Sequence, residues 1–375
     1  MRLGFVLFNW FPHGGLQQDL VKLVRACQPH ADIVIHCLEW DGPKLDGVET
    51  TVVGYSRFTR NGCRDVFAAH VVDVVRPKVD LVIGFNRLPG LDYYFAADSC
   101  FAHRANQKSW LYRLTPRVRQ YLKFEEAVFG PVSNTVSLLL SPLQRAQYSL
   151  QYQTPPARLI DLPAGIDRKH RAGSNAADLR ASFRHQLGIG DDELVVLQVG
   201  SSFGTKGVDR ALLALQALPA ALKQRVHYCL LGRDNHVSRW QQRAVATGLG
   251  NRVHFLGHEH EVPRCMQGAD ILLHPSLHES AGMVILEAVV AGLPVLTTAN
   301  CGYAFHVREA NAGLVCAEQF AQNQLNALLV TMLTGERSEW RRNGIRYGQD
   351  NNLYDMPAVA ADIILNSSIL NRTTG

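Results

Sequence analysis

Short apolar runs alternate along this chain with longer mixed polar and apolar stretches. "RLGFVLF" predicts a first strand, followed by a Gly14-Gly15 loop and a helix through "LQQDLVKLVRAC". "DIVIHCL", a short "TTVVGY", a helix near residues 62–76, "DLVIGF", "YYFAAD", a basic helix, "TVSLLLS" and another helix continue the pattern. Most of the strand runs are apolar at consecutive positions, as strands buried on both faces of a parallel sheet are. "YQTPPARLIDLPAGIDRKHRAGSNAA" breaks the alternation with proline, glycine and charge and predicts a linker. The alternation then restarts with "ELVVLQVG", "VHYCLLG", "VHFLG", "DILLHP", "PVLTT" and "AGLVCA", separated by helix-like stretches. The pattern predicts an α/β chain of two doubly wound domains with a cleft between them. Ligands of such sheets bind beyond the carboxyl ends of the strands. "GGLQ", "GTKG" and "HESAG" all follow predicted strands.

Composition narrows the class. A chain of 375 residues has room for two domains, and 47% hydrophobic with 19% charged residues is globular. The formal charge of +5 is modest, so an electrostatic partner must meet a local patch. Eight cysteines without a C-x-x-C pair or a metal-like cluster suggest reduced thiols of a cytoplasmic protein. The N-terminus is apolar but short and leads into a Gly-Gly turn, so it reads as a strand and not a signal peptide. No run approaches the length of a membrane span.

The chemistry concentrates in "HESAGMVILEAVVAGLPVLTT", residues 278–298. Met283, Ile285, Leu286 and Val289 predict a buried helix that Gly292-Leu293-Pro294 ends. Glu279 precedes it and Glu287 lies within it, one turn past Met283. The free N–H groups of the first turn attract an anion, and small residues there let it approach. Glu279 coexists with that anion if it binds hydroxyls while the amides bind phosphate. A ligand with phosphate in the middle and hydroxyls at both ends fits, and a nucleotide sugar has that layout.

Other motifs leave two readings open. Gly14-Gly15 serves either a plain strand-to-helix turn or close backbone approach to a diphosphate or sugar. Its spacing is not G-x-G-x-x-G, which disfavours a nicotinamide site. Lys206, between Gly204 and Gly207 at a helix start, is either a phosphate contact or a solvated lysine. Arg168 reaches a phosphate or nothing, and His274 is structural or a ligand. No Asp-x-Asp pair occurs, so arginine, lysine and helix amides must neutralise a diphosphate without metal. "RANQKSWLYRLTPRVRQYLKF" carries Arg104, Lys108, Arg113, Arg117, Arg119 and Lys123, interleaved with Trp110, Leu111, Tyr112, Tyr121 and Phe124. It suits an anionic lipid surface, or is an exposed helix with its apolar side in the core. Nucleic acid is disfavoured, because no recognition motif accompanies the charge.

"FPHGGLQQDL", "VGSSFGTKGVDR" and "HPSLHESAGMVILEAVVAGLPVLTT" resemble the retaining glycosyltransferases of the GT-B type, with the E-x₇-E element Glu279–Glu287 as the shared signature. "VIGFNRLPGLDYYFAADSCFA", "LYRLTPRVRQY" and "VLTTANCGYA" are similar to the lipopolysaccharide core heptosyl glucosyltransferases of Gram-negative bacteria, and the resemblance spans nearly the whole chain. It implies two Rossmann-like domains facing a central cleft. Residues 1–167 would take the acceptor, 168–350 the nucleotide sugar, and a helix within 351–375 would cross back to the N-terminal domain. It implies that Glu279 binds hydroxyls of the donor hexose and that Glu287 binds the uridine ribose. The amides near Ala281, Gly282, Met283 and Val284 would hold sugar and diphosphate, with Lys206 and Arg168 neutralising charge and Gly15 approaching from the other domain. Asp19 would face the acceptor, with Asp98 a second such candidate.

The implied partners are a UDP-sugar donor, the heptosylated inner core of lipopolysaccharide as acceptor, and the anionic cytoplasmic face of the inner membrane, where the protein would sit peripherally. No cofactor or metal is implied. Thr205-Lys206 departs from the Arg-Lys that the resemblance implies, one cation short. The donor could also be a UDP-N-acetylhexosamine, or the acceptor another lipid or oligosaccharide. A UDP-sugar epimerase and a non-catalytic nucleotide-sugar sensor are the readings from other classes.

Overall fold

The computed structural model describes residues 1–12, 14–54, 59–257 and 261–367. His13 of the "PHGG" motif, Tyr55 at the end of the third expected strand, and the last eight residues of the expected C-terminal segment lie outside that range. The chain forms two compact units, Met1–Gly165 together with the segment from Asp355, and Ile166–Tyr354.

The N-terminal unit carries a seven-stranded sheet. In chain order its strands are β1 (Arg2–Trp10), β2 (Asp32–Trp40), β3 (Glu49–Val52), β4 (Leu81–Gly84), β5 (Tyr93–Phe95), β6 (Val136–Leu139) and β7 (Leu159–Asp161). They lie in the order β3-β2-β1-β4-β5-β6-β7, all parallel, with Val6 opposite His36 and Gly4 opposite Val82. Leu3, Phe5, Leu7, Ile35, Leu81 and Ile83 are buried, which explains their near-continuous apolar sequence. The helix Met356–Leu365 packs on the helix Gly15–Cys27 of this unit.

The C-terminal unit repeats the plan with six strands, β8 (Leu194–Val199), β9 (Val226–Leu231), β10 (Val253–Gly257), β11 (Ile271–His274), β12 (Val295–Thr298) and β13 (Gly313–Cys316). Their order is β10-β9-β8-β11-β12-β13, again all parallel. Strand order reverses at β1/β4 in one sheet and at β8/β11 in the other. Loops leaving adjacent strands diverge at such points, opening a crevice beyond the strand ends. Each unit therefore has one crevice that its topology dictates.

Two expectations are corrected. Leu159–Asp161 lies inside the expected linker but is an edge strand, with Ser137 opposite Leu159. Three residues bordered by turn formers carry no periodic signal, so only the neighbouring strand reveals them. The expected basic helix is three helices, Phe101–Asn106, Trp110–Arg113 and Pro116–Phe129. Pro116 opens the last, where its missing N–H costs nothing, and it cannot continue a helix from before.

Candidate functional site

In the C-terminal unit the crevice at β8/β11 is built by the loop after each strand. Gly207 begins a helix at φ +72°, and a Cβ there would collide with the carbonyl oxygen of Pro275. The two loops are sewn together, since Leu277 N and Ser276 Oγ donate to Thr205 O at 3.0 and 2.9 Å. Gln198 Nε2 donates to Lys206 O at 2.7 Å. The backbone at Lys206 is thereby fixed, and its ammonium forms an ion pair with Glu279.

Glu279 is held on several sides. Its Oε2 lies 2.7 Å from Nε2 of the fully buried His274. Its N donates to Asn300 O, and its own carbonyl accepts from Gly302 N, both at 3.1 Å. Burial raises the cost of its charge, but His274 and Lys206 outweigh that and hold the carboxyl at about 2. Lys206 is thus no solvated surface lysine, and His274 is the residue that fixes Glu279.

Gly282 caps the helix Met283–Val290 at φ +85°, a conformation that favours glycine. The amides of Met283 and Val284 are in its first turn and have no acceptor within the helix. Ala281 is buried, and its carbonyl accepts from Tyr303 N at 2.6 Å. Glu287 lies further along, with His170 Nε2 at 3.6 Å from its Oε1. His170 ends the short turn Arg168–His170. Arg168 places its guanidinium 4.3 Å from the ring centre of Tyr354. The structure therefore gathers Lys206, His274 and Glu279 in one cluster, with Glu287 on the helix Met283–Val290 and His170 beside it from the turn Arg168–His170.

His274, Glu279 and Cys301 bring potential metal-ligand atoms within 4.8 Å of one another. The donor set fits a metal poorly. Both Glu279 oxygens are already engaged, Oε1 by the Lys206 ammonium and Oε2 by His274 Nε2. Burial and the Glu279 charge push the Cys301 thiol up to about 11.

The N-terminal unit's crevice, at β1/β4, is a cavity of about 330 Å³. Asp98 lines it and lies 3.5 Å from the buried Arg87, which also pairs with Glu125. Glu125 is fully buried and accepts from Phe101 N, Ala102 N and Tyr152 Oη at 2.7–2.8 Å. Asp19 is not in the lining. Its side chain is buried in the helix Gly15–Cys27, and Oδ1 has no hydrogen-bond partner. Burial pushes its carboxyl up to about 7, against a weaker pull from Lys22. Gly15 faces open space, whereas a Cβ on Gly14 would strike Gln17 and Phe11.

The basic segment divides its residues. Val118 and Phe124 are buried, as an ordinary amphipathic helix requires. Trp110 is 70% exposed, and Leu111, Tyr112 and Leu114 are exposed beside it. Lys108, Arg113, Arg117, Arg119 and Lys123 are exposed as well. Arg104 is half-buried, 5.4 Å over the ring of Phe101. No helix among the described residues is long and apolar enough to cross a membrane. All eight cysteines are buried, and no disulfide joins them among the described residues.

His170, Arg87 and Arg64, which also lines the cavity, carry no signal in the sequence, because their partners lie far along the chain. The pair Glu279–Glu287 is legible because both lie in one short stretch, Glu279 just before the helix Met283–Val290 and Glu287 within it.

The sequence model of the family described as "Glycosyl transferases group 1" matches residues 180–350. The chain is 39% identical, over 97% of its length and 98% of the relative's, to the lipopolysaccharide glucosyltransferase WaaG of Escherichia coli K12. It superposes on a crystal structure of WaaG, described as a glycosyltransferase involved in lipopolysaccharide biosynthesis, with a TM-score of 0.90, covering 97% of this chain and all of that one at 38% identity. Anabaena Alr3699/HepE, solved with UDP and glucose, shares the fold at a TM-score of 0.73 and 19% identity, over 97% of this chain and 99% of that one.

Proposed function

We propose that this chain, which belongs to the group 1 glycosyltransferase family, transfers a glucose from UDP-glucose to a heptose of the lipopolysaccharide inner core, with retention at the anomeric carbon. The observation that carries this reading is the meeting of Lys206 and Glu279 beside the first turn of Met283–Val290. A cation and unpaired amides suit a diphosphate, and a charged carboxylate beside them suits sugar hydroxyls. Its relatives include a lipopolysaccharide glucosyltransferase that matches over nearly the full length.

On donor binding, Lys206 exchanges the Glu279 carboxylate for a phosphate oxygen. Glu279, still held by His274, accepts from hydroxyls of the hexose. Glu287 accepts from the ribose, and Arg168 adds charge toward the diphosphate. The C1–O bond to the β-phosphate breaks, and a bond from C1 to the acceptor oxygen forms on the same face. The leaving phosphate oxygen takes the acceptor's proton. Lys206 and the amides of Gly282, Met283 and Val284 stabilise the negative charge that develops on that oxygen, and the rest is positioning. Asp98, open to the N-terminal cavity, is the carboxylate suited to touch the acceptor. The buried Asp19 acts on that side only through its neighbours. No step needs a metal, because Lys206 supplies the positive charge.

The exposed Trp110, Leu111, Tyr112 and Leu114 among Lys108, Arg113, Arg117, Arg119 and Lys123 suit the anionic cytoplasmic face of the inner membrane, where a lipid-linked acceptor would be met. The test is UDP release from UDP-glucose with and without heptosylated core lipid, with an EDTA arm. Release that needs the lipid and survives EDTA is expected. Isomerised sugar without the lipid means an epimerase, and tight binding without release means a sensor. Loss with EDTA, restored by Mg²⁺, overturns the metal-free site.

A further inference from the structure

We propose that the cavity at β1/β4 is an anion-reading subsite, which binds one sugar unit of the acceptor through a phosphate or carboxylate that the sugar carries. The proposal rests on the transferase reading for what the sugar belongs to, but the cavity makes its own case.

Arg64, Arg87, Arg104 and Arg117 line it against a single lining carboxylate, Asp98. Arg87 is committed to Glu125 beneath the floor. Arg64 and Arg117 pair with no carboxylate among the described residues. Instead they stand 4.9 and 5.7 Å from the ring centre of Tyr121, and Arg64 also lies 5.3 Å from that of Phe8. Two guanidinium groups gathered around one ring, without a counter-charge, repel each other. Stacking on the rings holds their planes, leaving N–H groups for an anion to bridge.

A second observation is independent of charge. Gln120 is 8% exposed, donates from Nε2 to Asn61 O at 2.6 Å, and leaves Oε1 with no partner. An acceptor left unpaired in a cavity wall invites a hydroxyl donor. The fixed amide of Asn86, whose Oδ1 accepts from Phe8 N at 2.7 Å, adds a donor at the strand end. Aromatic faces, amides and cations together describe a charged sugar better than a nucleotide base or an apolar chain. A volume of about 330 Å³ is at the low end of small-molecule sites, so one sugar unit lies inside and its neighbours outside.

Calorimetry on the full chain tests this with mannose 6-phosphate, mannose and inorganic phosphate as probes. Mannose 6-phosphate should bind at least about tenfold more tightly than either of the others, a difference of about 1.4 kcal/mol. Arg64→Gln should abolish the preference, and so should Gln120→Glu, whose carboxylate would occupy the arginines. UDP affinity should stay unchanged in both, which shows that they are folded. Equal binding of mannose and mannose 6-phosphate, or a preference that survives both variants, overturns the proposal. Inorganic phosphate binding as tightly as the sugar phosphate overturns the sugar part of it. Vesicles of phosphatidylglycerol separate the other source: if Arg64→Gln loses vesicle binding while keeping sugar-phosphate binding, the anion is a lipid headgroup and the proposal fails. If lipid-dependent UDP release fails while the preference holds, the transferase reading falls and the subsite stands.

Discussion

Asp19 and Glu279 are both carboxylates withdrawn from water at the switch point of a parallel sheet, and their fates are opposite. Glu279 meets His274 and Lys206 and is held at about 2. Asp19 meets no donor at Oδ1, feels Lys22 only at a distance, and is pushed up to about 7. Burial alone favours the neutral acid, and only opposite charge with hydrogen bonds reverses it. The C-terminal unit therefore keeps a fixed anion poised beside a cation. In the N-terminal unit burial pushes the Asp19 carboxyl toward its neutral form, while Arg64 and Arg117 line a cavity with no carboxylate partner among the described residues.

The largest effect is expected at Lys206. Lys206→Ala removes the cation that stabilises the leaving group, and turnover should drop about a thousandfold, roughly 4 kcal/mol. A full rate in that variant would leave the C-terminal site without its charge. Asp19 comes next. Its folded carboxyl titrates above its unfolded one, so the fold binds the extra proton. Stability is then greatest below about pH 4 and falls as pH rises through 7. Asp19→Asn should remove that slope, gaining on wild type by up to about 4 kcal/mol at pH 8 and by less than half of that at pH 5. Urea melts at the two pH values read this directly, and parallel curves would mean that Asp19 is paired. Glu279 has the reverse sign: its contribution is present above about pH 4.5 and lost as pH falls toward 2.

Smaller effects sharpen the division of labour. Replacing Arg117, Arg119 and Lys123 by serine should cost up to about 3 kcal/mol of affinity for anionic vesicles, strongest at low salt, and leave UDP binding alone. Equal co-sedimentation of variant and wild type would return this segment to an ordinary solvated face. Glu287→Ala should weaken UDP binding by roughly 1.5–3 kcal/mol. Glu279→Ala should leave it nearly unchanged, since it loses only sugar contacts and frees Lys206. The opposite ranking in a titration with UDP alone would exchange the two roles.

Whatever has a period or a local spacing was legible in the sequence. Consecutive apolar runs mark twelve of the thirteen strands, and the E-x₇-E element marks the helix Met283–Val290, with Glu287 inside it and Glu279 just before it. Leu159–Asp161 leaves no mark in the sequence, because three residues at a sheet edge have no period of their own. The continuous charges of residues 104–124 suggest one helix, although Pro116 divides it. Side-chain partnerships were the least visible. His274 fixes Glu279 from another element, and Lys206 reaches it across 73 positions. Arg64 meets Tyr121, and Gln120 meets Asn61, only when the helices Arg60–His70 and Pro116–Phe129 pack together.

Whether the chain is a glucosyltransferase is decided by the mass of heptosylated core lipid after incubation with the protein and each of a panel of UDP-sugars. UDP-glucose should add one hexose, joined to heptose in the α configuration, and Lys206→Ala should do so far more slowly. Lipid of unchanged mass with UDP-glucose, or a product formed only with a UDP-N-acetylhexosamine, would contradict the glucosyltransferase reading.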